Sequence, residues 1–136
     1  MVDPNSRQVG GEHYGGKRYQ HWDLCADAPL NYFEACVTKY VARWRQKEGA
    51  RDVEKAQHFL DKLIKLYQDN RLELPVTQRL MFPLKKYQNY NELGMLELAI
   101  FRGMLTYTTL NELMSTKKLL AELFSVALRK EKGNAV

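Results

Sequence analysis

The 136-residue chain is predicted to fold as one all-α domain: an antiparallel helical hairpin, two C-terminal helices and an extended glycine-rich N-terminal arm. Three observations predict it. Apolar residues recur at i, i+3, i+4 and i+7 in the stretches that precede and follow Gly49, and again in two later stretches. The break at Gly49 is short, which forces neighbouring helices to run antiparallel. No segment alternates with the period of two that a half-buried strand requires.

Residues 1–28 hold glycines, Pro4 and no helical period, so they read as an arm or loop with Tyr19, Trp22 and Leu24 free to tuck against the core. Residues 29–70 form the hairpin. Its first helix is predicted over 31–48, where Asn31 caps free amides and Glu34 completes a capping-box pair. Phe33, Cys36, Val37, Tyr40, Val41 and Trp44 supply its apolar stripe, and Gly49 closes it. The second helix runs over 52–70 from Asp52, whose carboxylate suits the positive end of a helix. Val53, Ala56, Leu60, Leu63, Ile64 and Tyr67 face inward, and Pro75 marks a stop.

Residues 71–90, with Pro75 and Pro83, read as an irregular connection. A third helix follows from Asn91 to about Leu105, and Thr106, Thr108 and Thr109 predict a bend after it. A fourth spans about Thr116 to Lys130. The third helix carries leucines, Ile100, Phe101 and Met104 around most of its circumference, more than a hairpin covers. Leu98, Phe101 and Leu105 are therefore predicted to form an interface, most simply that of a homo-oligomer.

Hydrophobic content of 45 % is ordinary for a globular chain. No apolar run is long enough to span a bilayer, and the polar N-terminus lacks a signal-peptide h-region, so the expected setting is a cytoplasm without membrane attachment. Cys25 and Cys36 fit a reducing compartment. Most of the net charge of +5 is spread thinly over residues 75–136. A duplex-binding protein concentrates its basic residues, so nucleic acid is possible but not the favoured partner.

The ordered part of the charge lies elsewhere. On a helix, Lys39, Arg43 and Lys47 stack along one face at four-residue spacing, with Lys55 opening the next helix beside them. Like charges in register repel, which points to an anionic partner such as a phosphate. A solvated face neutralised by Glu48, Asp52 and Glu54 is the alternative. Gly11 to Lys17 has the spacing G-x-x-x-x-G-K of a phosphate loop, but Arg18 stands where Ser or Thr would hold Mg²⁺, and no strand precedes it. A glycine arm closing over a ligand through His13, Tyr14 and Lys17 fits these residues better than a phosphate loop, and a merely structural tail fits them equally well.

No catalytic residues, metal ligands or cofactor are assigned. His21 and Cys25 have i, i+4 spacing without a second pair, and Glu34, Asp52 and Asp61 lack the clustering of helical carboxylates that builds a Mg²⁺ site.

The pattern His13-Tyr14, Gln20, Asp23, Asn31, Ala35, Lys39-Tyr40, Arg43, Lys47, Gly49, Asp52, Lys55-Ala56, Leu60, Leu63-Ile64 resembles the SaV-like family over residues 11–66. These are small tailed-phage proteins of uncharacterised function, often labelled nucleotide kinases. The resemblance implies a phage protein made in the host bacterial cytoplasm. Together with the basic row, it predicts an accessory or host-takeover protein that binds a nucleotide or nucleotide-derived defence signal through Lys39, Arg43, Lys47 and Lys55. Inhibition of a host bacterial protein through the C-terminal helices is the second reading, and an enzyme of nucleotide metabolism the third.

Overall fold

The computed structural model describes residues 3–6 and 18–134. Among these residues the protein is all-helical: a short 3-10 turn at Pro4–Ser6, then α1 (His21–Asp27), α2 (Tyr32–Arg43), α3 (Ala50–Gln68), α4 (Phe82–Gln88), α5 (Met95–Thr106) and α6 (Leu110–Asn134). No described helix is long and apolar enough to cross a membrane.

The segment read as an arm contains α1. Seven residues are too few to display a helical period, but the Gln20 amide donates to Asp23 Oδ2 at 2.8 Å and fixes the helix start. Asn5 ties the 3-10 turn to the same place, donating to Asp23 Oδ2 and accepting from Trp22 Nε1, each at 2.6 Å.

α2 begins at the predicted cap. The Glu34 amide donates to Asn31 Oδ1 at 2.9 Å, and the Asn31 amide donates back to Glu34 Oε1 at 2.8 Å. The helix stops at Arg43, short of the predicted residue 48, because residues 44–49 wind into a turn. There the Arg43 carbonyl accepts from both Gln46 and Lys47, and the Gly49 amide reaches back to the Trp44 carbonyl at 2.8 Å. Gly49 has φ +63°, a left-handed conformation that side chains resist. Its missing Cβ also makes room for the Glu131 carboxylate, which caps the Ala50 amide at 2.7 Å from the far end of α6. α3 therefore starts at Ala50, two residues before the predicted Asp52. Arg43 meets Asp52, and Tyr40 meets Lys55 and Phe59, so α2 and α3 run in opposite directions.

The predicted irregular connection holds α4, and the third helix begins at Met95 rather than Asn91. Asn91 is spent on a different task. Its buried amide nitrogen donates to the Tyr19 and Tyr87 carbonyls at 2.8 and 2.9 Å. The threonine bend falls where predicted, but Thr109 Oγ1 then accepts from the Glu112 amide at 3.2 Å, so α6 starts six residues before Thr116.

α5 packs against α2 and α6. That placement corrects the proposed interface. Phe101 and Leu105 are completely buried inside the single chain, and Leu98 is half-buried against the same core. The surplus apolar surface is consumed within the domain, and the reason given for a homo-oligomer goes with it.

A buried polar cluster fastens this core. Glu34, fully enclosed, accepts both terminal nitrogens of Arg79 (2.7 and 2.9 Å) and the Tyr107 hydroxyl (2.5 Å). Because the Tyr107 proton goes to Glu34, the Tyr67 hydroxyl is the donor in the 2.5 Å contact between the two phenols. Arg79 also donates from Nε to the Pro29 carbonyl at 2.9 Å, and its own amide donates to the Leu105 carbonyl. Burial, then the Glu34 charge, raises the pKa of Tyr107 far above the usual phenol value.

Candidate functional site

Helix α2 carries its basic residues on the edge facing α3. Lys39 Nζ, Arg43 Cζ and Lys55 Nζ lie 5.4, 5.0 and 5.3 Å from the centroid of the Tyr40 ring. Tyr40 stacks on Phe59 at 5.9 Å with an 11° tilt, and Tyr32 meets Phe59 edge-on. Tyr40, read from sequence as core, is thus a half-buried platform under three cations.

The three cations are not equivalent. Arg43 Nε lies 3.3 Å from both carboxylate oxygens of Asp52, whose side chain is fully buried. Asp52 Oδ2 also accepts the Glu48 amide at 2.9 Å, so Arg43 is anchored to the turn itself. Lys55, half-buried, pairs with the exposed Glu48 at 2.7 Å. The hydrogen bond and charge of Lys55 lower the Glu48 pKa. A surface pair of this kind is screened by solvent and weak, so an incoming dianion can displace Glu48. Lys39 is exposed and has no carboxylate partner among the described residues.

The other sequence-predicted residues fall elsewhere. Lys47 is not among the groups over Tyr40. It lines a depression of about 280 Å³ beside Trp44, Lys130 and Glu131. The turn at 44–49 breaks the four-residue register that would have kept it in the row. His13, Tyr14 and Lys17 lie outside the described residues.

Beyond Lys39, α1 packs its one histidine against α2. His21 Nε2 and Thr38 Oγ1 are 2.7 Å apart, and His21 Nδ1 lies 3.5 Å from Cys25 Sγ. Burial, reinforced by the Lys39 charge, lowers the His21 pKa from 6.5 to about 4. Burial likewise raises the Cys25 thiol to about 11, which leaves it protonated and unreactive, and both cysteines are free thiols. A histidine that refuses its proton in the folded state makes stability depend on pH. The unfolded chain binds that proton below pH 6.5, so stability is complete above this value and falls towards pH 4, by at most about 1.4 kcal/mol per unit. Unfolding midpoints measured across this range should show the decline, and His21→Gln should flatten it.

On the opposite edge of α2, Glu97 is a carboxylate that sequence reasoning missed. Only 4 % exposed, it accepts from Trp44 Nε1 at 3.1 Å and from Arg45 Nε at 3.0 Å. A mostly apolar helix gives no warning that its single acidic residue turns inward. Among the described residues, no group of three or more His, Cys, Asp or Glu side chains is placed to hold a metal ion. In comparisons with known proteins, no family model, no curated protein and no solved structure matches this chain.

Proposed function

We propose that the α2–α3 face binds a phosphate-bearing small molecule, a nucleotide or nucleotide-derived signal. One observation carries the reading: Lys39, Arg43 and Lys55 converge within 5.4 Å of a single aromatic ring. Among the described residues, Arg43 is fixed in place by a buried carboxylate, Lys55 is held by an exposed one, and Lys39 pairs with none. The arrangement is preorganised at its centre and exchangeable at its rim, as reversible anion capture requires. The resemblance to SaV-like phage proteins supports an accessory role during infection of a bacterial cell, in which sequestering such a ligand blunts host defence.

Calorimetric titration with pyrophosphate and a nucleoside triphosphate tests the proposal. The double variant Lys39→Ala/Lys55→Ala should lose at least about tenfold in affinity with an unchanged melting temperature, since each charge-assisted contact contributes about 1.5–3 kcal/mol. Lys47→Ala should lose less, and added salt should weaken binding throughout. Absence of binding by wild type at about 10 mM of either compound rejects the reading.

A protein partner is the second reading, favoured by a different surface from the C-terminal helices. Val76, Leu80 and Phe82 are 94, 79 and 70 % exposed on the connection that Arg79 pins to the core. Substituting all three with serine abolishes partner binding on this reading and leaves phosphate binding untouched.

A further inference from the structure

A groove of about 540 Å³ runs along the edge of α2 that faces away from α3, within the range of small-molecule sites. Ala42, Arg45 and Gln46 form one wall, and Gln88, Asn91 and Glu97 the other. Two of these side chains are held rigidly with unspent hydrogen-bonding capacity.

Arg45 is locked from two sides. Its Nε is tied to the buried Glu97 carboxylate, and its guanidinium lies 4.4 Å over the Trp44 ring. Neither terminal nitrogen makes a hydrogen bond to another described residue, so a flat, oriented fork and an outer stacking surface remain. Asn91 is only 7 % exposed, and both amide hydrogens are used on the Tyr19 and Tyr87 carbonyls. Its Oδ1 accepts no hydrogen bond among the described residues. No fully enclosed side-chain oxygen or nitrogen of the described residues lacks a partner, so this oxygen opens to solvent, on the groove that Asn91 lines. Gln46 and Gln88 add exposed amides with no side-chain hydrogen bonds among the described residues.

The charge of the lining selects against an anion. Arg45 is neutralised by Glu97, and Glu92 leaves the groove slightly negative. What fits is a fixed acceptor, a fixed donor fork, two adaptable amides and a stacking plane. We propose that this groove is a subsite for an uncharged planar heterocycle with donors beside acceptors, the chemistry of a nucleobase. The groove is separate from the α2–α3 face and goes beyond the phosphate reading. Uncharged nucleosides test it separately.

Amide NMR spectra of the full chain recorded with adenosine, guanosine, cytidine and uridine, each at about 10 mM, provide the test. At least one nucleoside should shift the amides of Gln46, Gln88 and Gly94 and saturate with a millimolar dissociation constant. Gln88→Ala and Gln46→Ala remove exposed side chains and should each weaken that binding about threefold or more, whereas Lys62→Ala, an exposed position on α3 outside both sites, should leave it unchanged. No shifts with any nucleoside, shifts confined to other surfaces, or shifts produced only by a simple alkylammonium ion would each overturn the proposal. Pyrophosphate binding that survives such a failure would leave the phosphate reading intact and reject the groove alone.

Discussion

Glu34→Ala is expected to be among the most damaging single substitutions in this protein, costing about 3–5 kcal/mol of stability. The Glu34 carboxylate is completely buried and receives two Arg79 nitrogens, the Tyr107 hydroxyl and the Asn31 amide. Removing it strands a guanidinium whose side chain is only 18 % exposed and leaves the Asn31 amide without its cap. Domains of this size are stable by about 5–15 kcal/mol, so the loss takes a large share of the total. Denaturant unfolding measures it directly. Replacing Glu34 with alanine and Arg79 with leucine together should recover part of the loss, because the uncompensated charge is what costs most. A Glu34→Ala protein that unfolds at the wild-type midpoint would show that the cluster does not fasten the core.

Phe101→Ala should be comparably severe, at about 3–5 kcal/mol. Phe101 is fully buried in α5 and stacks on Tyr87 of α4, with ring centroids 5.6 Å apart and planes 19° from parallel. Its removal leaves a cavity between helices that cannot close by side-chain rotation alone. Phe101→Glu places a carboxylate in the same enclosed space and should abolish folding. Circular dichroism and light scattering separate this outcome from an interface role. A folded monomeric Phe101→Glu variant of an oligomeric wild type would return the residue to the surface.

The two substitutions also mark how far the sequence could be read. Helix α2 and the break at Gly49 were legible because Asn31, Glu34 and an apolar stripe at helical spacing are local signals. The partner of Glu34 was not. Arg79 lies 45 residues further on in a stretch without period, and nothing local says that a capping residue also anchors a buried ion pair. Phe101 misled because a helix apolar on most sides can be either central or adhesive. The choice was decided by packing against α2 and α6, with Tyr87 of α4 stacked on Phe101, and α4, like α1, is too short at seven residues to display a period. Four-residue spacing grouped Lys39 and Arg43, which the structure places with Lys55 over Tyr40, and Lys47 lies elsewhere because a turn replaced the last predicted helical turn. The groove residues Arg45, Asn91 and Glu97 belong to three segments and share no pattern. Only packing brings them together.

The clasp of Glu131 on the Ala50 amide spans 81 residues of chain. During synthesis, the turn that seats Arg43 on Asp52 emerges long before its final cap exists. At about 5–20 residues per second, the wait is roughly 4–16 s. A growing chain therefore carries α2 and α3 with an open turn until α6 leaves the ribosome. Maturation of the cationic face is thereby tied to the synthesis of α6, and a product cut before Glu131 would display the charges without their finished geometry.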